Sequence, residues 1–293
     1  MNRLPLAKRA TILQALVEGM SLRSISRTLG VSLNTVIKLQ VDAGEACAAF
    51  HDSHVVNVPS RRIQVDEAWS YVYAKQKHVD AAQKAPAGAG DAWTWTALDA
   101  DSKLVITWAV GPRDGATAYW FIRDMAERIR FRPQITSDGL ESYVGAIEDV
   151  FGADVDFAQL IKLYGKEQDE IRYSPPKCLG FRVKPITGDP DPKHISTSYI
   201  ERQNLNLRMG VRRFTRLTNA FSKKLQNHIH SVALWFVWYN WCRRHMTTRV
   251  TPAQEAGLTD EWFDAEWLAG IVEAHLPKPA KPGLKGPRTP KLN

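Results

Sequence analysis

Cysteine is scarce in this sequence. Cys47, Cys178 and Cys242 are the only three in 293 residues. They are isolated and odd in number, so they supply neither a disulfide framework nor the paired spacing of a zinc site. No zinc is expected, and a reducing, intracellular setting follows. The N-terminus lacks the apolar core of a secretory leader. Long apolar runs are missing as well: the longest, Val232 to Trp241, is too short to span a bilayer and contains Asn240. No membrane partner is expected. Acid is absent from residues 277–293, where Lys278, Lys281, Lys285, Arg288 and Lys291 stand among prolines and glycines. That segment reads as a disordered basic tail, or simply as a solubilising terminus. What is present is an apolar fraction of 44%, enough for a real core, and a formal charge of +8, which favours an anionic partner.

The first 45 residues carry a helical period. Leu6, Ala10, Leu13 and Val17 recur at helical spacing after Pro5, a residue suited to a first helical position. Ser21 can cap a second helix through Leu22, Ile25 and Leu29. Gly30-Val31-Ser32 makes a tight turn into Leu33, Val36, Ile37 and Leu39. Helix, glycine-containing turn, helix is the helix-turn-helix arrangement. Its last helix would present Asn34, Thr35, Lys38 and Gln40 to bases and phosphates in a major groove; the alternative is a three-helix protein-interaction bundle. Residues 46–60 read as a linker, or as an extra helix ending before Pro59.

The period then changes. Arg61 to Tyr73 is apolar, β-branched and aromatic, and predicts a strand with Asp66 and Glu67 on opposite faces. Lys75 to Asp91 reads as a flexible loop. Two further strands, 93–98 and 104–110, are joined by a hairpin turn at Asp99 to Lys103. A helix over 116–129, a short strand ending at Asp138-Gly139, a helix over 143–151 and a strand over 157–164 follow. Three strands, a helix, a strand, a helix and a fifth strand is the order of the ribonuclease-H-like fold, a mixed sheet flanked by helices. Lys166 to His194, with its prolines and glycines, reads as an insertion or mobile loop. Helices are expected from Ser196 to about Val211 and from Ala220 to Arg244. The aromatic run Trp235 to Tyr239 belongs to the core.

Three acids occupy defined places in this order: Asp66 within the first strand, Asp138 at the end of the fourth, and Glu201 in the first turn of a later helix. In such a sheet the first and fourth strands are neighbours. Two close carboxylates repel unless a cation lies between them, and hard oxygen ligands suit Mg²⁺ or Mn²⁺. With Glu201 the set could hold two ions about 3.5–4 Å apart, the arrangement used for in-line phosphoryl displacement. Each acid also has a plain alternative: Asp66 paired with Arg61 or Arg62, Asp138 in a turn, and Glu201 in a capping box with Ser198. Asn204, Arg208 and Arg212 share a helical face with Glu201. Arg213, Arg216, Lys223 and Lys224 extend the basic surface, as phosphate contacts or as a solvated face.

The blocks "VDEAWSYV", "TSDGLESYVGAIEDVFG", "DFAQLIKLYG" and "TSYIERQNLNLRMGVRRFTRLTNAFSKKLQNH" resemble the insertion-sequence-one type of DDE transposase, from about Arg61 to His245. The resemblance implies a ribonuclease-H-like catalytic domain over 61–246 behind the helix-turn-helix domain. A C-terminal helical segment over 247–276 and the tail follow. It implies a transposase with Asp66, Asp138 and Glu201 as catalytic, metal-binding acids, and Mg²⁺ or Mn²⁺ as cofactor. Double-stranded DNA, both element ends and target, would be the partner of a bacterial, nucleoid-associated homo-oligomer. Arg208 matches the basic residue that follows the glutamate by two helical turns. The cysteine-rich segment that many relatives carry before the helix-turn-helix is not visible here. A transposase-derived DNA-binding regulator and a ribonuclease-H-like nuclease are the competing functions.

Overall fold

A computed structural model describes residues 3–79, 81, 84–164 and 178–276. The tail expected over 277–293 lies outside the described residues, as does most of the first half of the insertion expected over 166–194.

The N-terminal helices form as their punctuation predicts. α1 (Leu6–Val17) follows Pro5, which stands at the cap position rather than inside the helix. α2 (Leu22–Leu29) is capped by Ser21, whose hydroxyl accepts from the Ser24 N–H, and it ends at Gly30 in the left-handed conformation. There φ is +63°, a value that glycine adopts without a steric penalty. α3 (Leu33–His54) runs straight through residues 46–54, so of the two readings for that stretch the helical one holds. Its buried positions continue through Ala43, Gly44, Ala46, Cys47 and His51, so burial carries the helix past the polar residues that suggested a break. Gly44 is required by packing: a Cβ there would lie 2.3 Å from the Cβ of His230.

Six strands form one sheet: β1 (Arg62–Val72), β2 (Gly90–Asp99), β3 (Val105–Gly111), β4 (Gln134–Ser137), β5 (Asp156–Tyr164) and β6 (Cys178–Thr187). Their order is β3-β2-β1-β4-β5-β6. β1, β2 and β3 pair antiparallel, while β4 is parallel to β1 and β5 parallel to β4. This is the ribonuclease-H-like order, with β6 added antiparallel outside β5. β6 corrects the loop expected over 166–194. Its signal was present in the alternation Leu179, Phe181, Val183, but those side chains are exposed, so no burial accompanies the pattern.

Helices cover both faces. α4 (Gly115–Arg128) and α5 (Ser142–Phe151) pack with Ile63, Val65 and Trp95 in one core. α6 (Ser198–Gly210) and α7 (Leu225–Trp241) lie on the other face, where the N-terminal helices and α9 (Ala265–His275) share their core. The short α8 (Pro252–Glu255) carries a complete capping box from Thr251 and Gln254. Trp235 to Tyr239 is buried, as expected. Asn240 is spent inside: its amide bonds the backbone N–H and carbonyl of Val105 at 3.0 and 2.9 Å, acting as a strand partner for the edge strand β3. No helix among the described residues is long and apolar enough to cross a membrane.

A candidate active-site cleft

The cleft arises where β4 ends. β4 pairs with β1 only as far as Val65↔Ser137, while β2 stays paired with β1 through Val72. From Asp66 until the bridge of Val72 to Ser222, β1 therefore has an open flank on the β4 side. Asp138 is the first residue past β4, and its carboxylate accepts the Leu140 N–H at 2.9 Å in a local turn. The open flank also lets Asp66 and Glu67, rooted on opposite faces, lean toward the same space. Carboxylate oxygens of Asp66, Glu67 and Asp138 lie within 4.8 Å of one another.

Glu201 arrives from α6, and the start of α6 is set by β1. The backbone N–H groups of Tyr199 and Ile200 donate to Gln64 Oε1 at 2.9 and 3.0 Å, so a strand side chain satisfies donors that a helix start leaves open. The Ser198–Glu201 capping box does not form. Instead Glu201 accepts from the Thr197 hydroxyl and from Lys162, each at 2.5 Å. Three residues further along α6, Asn204 donates to Asp66 Oδ2 at 2.8 Å. Its own carbonyl oxygen is buried without a hydrogen-bond partner. Asp66, Asp138 and Glu201 thus line one cleft of about 500 Å³, together with Arg113 and Lys162.

Crowded acids govern the electrostatics. The Asp66 carboxyl is pushed up to about 7, first by burial, then by the charges of Glu67 and Asp138, with a backbone hydrogen bond opposing and Glu201 adding to the rise. Burial also raises Glu67, against the pull of Tyr143 and Arg113. Arg113 bonds Glu67 at 3.0 Å, approaches Asp138 at 3.6 Å and stacks over Trp93 at 4.9 Å. Glu67 thus has a basic partner, and also a place among the acids behind the cleft. Sequence reasoning missed Arg113, since a lone arginine after Gly111-Pro112 carries no periodic signal. Neither arginine considered as a partner for Asp66 serves it: Arg62 pairs with Asp101, and Arg61 covers Phe131.

Among the expected DNA-contacting residues, Asn34 and Lys38 are exposed and Thr35 is half-buried on α3. Lys38 is paired with Asp42 at 2.8 Å. Gln40 is buried and accepts from Arg213 at 2.6 Å. Arg213 also donates to Ser222 at 2.8 Å, and burial lowers it to about 10. Two expectations are corrected here: Gln40 is turned inward rather than presented to a groove, and Arg213 ties α3 to the segment before α7. Asn204 lies on the Glu201 side of α6, as expected, and faces Asp66. Arg208 is half-buried; burial and the charge of Arg216 lower it while the charge of Asp66 raises it. Arg216, Lys223 and Lys224 are exposed and Arg212 is half-buried.

The donor set fits a hard divalent cation. Three carboxylates converge, and the orphaned Asn204 carbonyl is a further oxygen beside them. No protein-family model and no curated protein matches the chain. Among solved structures it is similar to a piggyBac transposase synaptic complex with hairpin DNA, at 9% identity and a TM-score of 0.42, over 92% of this chain and 70% of that one. It is also similar to a Mos1 transposase paired-end complex with the left transposon end, at 14% identity and a TM-score of 0.21, over 51% of this chain and 58% of that one. The ribonuclease-H-like assignment rests on the strand order and register described above.

Proposed function

We propose that this protein is a DNA transposase that cuts the ends of a mobile element and transfers them into target DNA. One observation carries the reading: Asp66, Asp138 and Glu201, spread over 136 positions of chain, line a single open cleft. The finer assignment to the insertion-sequence-one type rests on the sequence blocks quoted above.

Asp66 and Asp138 would hold Mg²⁺ or Mn²⁺ from the sheet, and Glu201 would close the site from α6 once released from Lys162. Such a cation supplies Lewis-acid polarisation of the scissile phosphate and an oxygen nucleophile at neutral pH. The chain's own residues do the rest. Gln64 fixes the register of α6 on β1. Asn204 orients the Asp66 carboxylate. Arg208, one turn beyond Asn204 on α6, would meet a phosphate held near Asp66, a charge-assisted contact suited to the backbone. Asn34, Thr35 and Lys38 would read the element end, with residues 1–45 as the recognition domain and 61–246 as the catalytic one. Arg212, Arg216, Lys223 and Lys224 would follow the duplex backbone. Action on two DNA ends calls for a homo-oligomer.

The test is incubation with element-end DNA and Mg²⁺. Strand cleavage is expected for the wild type and its loss for Asp66→Ala, Asp138→Ala and Glu201→Ala. Full activity in any of the three removes that residue from the assignment. Cation-independent binding without cutting would favour a DNA-binding regulator, and preferential cleavage of an RNA–DNA hybrid would favour a nuclease.

A further inference from the structure

Arg113 and Glu67 have no part in the reading above, yet Arg113 lines the cleft and Glu67 lies behind it, near Asp66 and Asp138. Glu67 has a side chain only 1% exposed, deeper than either Asp66 or Asp138. One of its oxygens takes Arg113, and on its other side the carboxylate feels the buried Tyr143 hydroxyl. The guanidinium of Arg113 stands between Glu67 and Asp138, at 3.0 and 3.6 Å, while its own side chain is 37% exposed. A cation already occupies the ground between these two carboxylates, and it belongs to the protein. Its attachment is light: Arg113 leaves the end of β3 just before α4 and rests on the face of Trp93.

We propose that Glu67 is a fourth acid of the cation site, and that Arg113 is its exchangeable counter-charge, competing with a divalent ion for Glu67 and Asp138. One further observation points to a ligand. The carbonyl of Asn204, whose amide holds Asp66, is buried beside that carboxylate with no hydrogen-bond partner. It is a hard oxygen donor lacking the hydrogen bond that burial ordinarily demands. A displaced Arg113, still tethered at the mouth of the cleft, is then free to meet an incoming phosphate. Arg113 is thus a positioning residue while the cation is absent.

This inference rests on the cation-binding reading of Asp66 and Asp138, and the experiment separates the two. Mn²⁺ binding to the full chain is measured by loss of the free-ion electron paramagnetic resonance signal, with circular dichroism as the folding control. Asp66→Asn and Asp138→Asn are expected to abolish binding. Glu67→Gln is expected to weaken it by about tenfold or more, the scale seen when groups around a bound metal are removed. Arg113→Gln is expected to tighten it by about fivefold, because a competing ion pair is gone. A purely structural salt bridge would make the same variant bind more weakly or unchanged. If Arg113→Gln does not fold with Glu67 left unpaired, Arg113→Lys is read in its place, and tightening is again expected because an ammonium cannot span both carboxylates. Unchanged affinity in folded Glu67→Gln, or no tightening in the folded Arg113 variant, overturns this proposal alone. No Mn²⁺ binding by the wild type overturns the cation reading with it.

Discussion

At the scale of single residues, side chains near the cleft are committed to one another more than to solvent. Gln64 is the clearest case, a buried strand glutamine whose carbonyl takes two backbone donors at the start of α6. Gln64→Leu keeps the bulk and removes the acceptor. It is expected to cost about 2 kcal/mol in urea denaturation, the penalty of unpaired buried donors. Cleavage should also fall, because Glu201 and Asn204 lose their register; unchanged stability would remove Gln64 from this role. Arg213 makes the opposite point about reading charge from sequence. Its guanidinium ties Gln40 to Ser222, so Arg213→Ala should act on stability. Arg216→Ala should act on DNA affinity, lowering the slope of log K against log salt by about one. Equal salt slopes for wild type and Arg216→Ala would show that Arg216 contacts no phosphate. In sequence the two arginines look alike, because only the neighbours brought by α3 tell them apart.

At the scale of elements, the decisive facts are where strands stop and how closely helices approach. β4 is short, and the flank it leaves beside Asp66 is what opens the cleft. Helix α3 approaches α7 closely at Gly44, where His230 leaves no room for a methyl group. Gly44→Ala should therefore destabilise the protein by about 1–3 kcal/mol, the usual cost of overpacking, even though alanine favours helix over glycine. A rise in Tm for this variant would contradict the packing. α2, α4, α5 and the first five strands were legible, because helical spacing marks the helices and β-branched and aromatic runs mark the strands, the central ones being buried on both faces. β6 was not, since its apolar residues stay exposed; the helix past residue 45 was legible only as one of two readings, because its buried face is covered by distant α7.

At the scale of the whole molecule, acid response reports on the core behind the cleft. Burial pushes His51 and His228 down to about 3. His51 bonds the Ile106 carbonyl, and His228 lies between Ser70 and Ser222. A depressed histidine binds fewer protons folded than unfolded, so its contribution is complete above the unfolded value of about 6.5 and is lost as pH falls toward 3. At pH 5 the loss comes to about 2 kcal/mol for each. Asp66 opposes this, since a raised carboxyl costs stability as pH rises from about 4 to 7. The two are separated by substitution. Relative to wild type, His228→Gln should gain about 2 kcal/mol between pH 7 and pH 5 in EDTA. Relative to Asp66→Asn, the wild type should gain over the same interval. A constant difference across that interval would refute either assignment.

The sequence by itself determined the alternation of strands and helices, and hence the ribonuclease-H-like order, because hydrophobic period and turn residues are local signals. It also marked Asp66, Asp138 and Glu201 by their places within that order. Only the tertiary structure decided which side chains share the cleft. The chain brings Arg113 from the end of β3, Lys162 from β5 and Asn204 from α6 to the open flank of β1. No spacing along the sequence encodes that meeting, because it is set by the stagger of β4 against β1 and by the cap that Gln64 places on α6. Glu67 belongs to both levels. Strand alternation put it on the far face with a basic partner, and the early end of β4 brought it back among the acids.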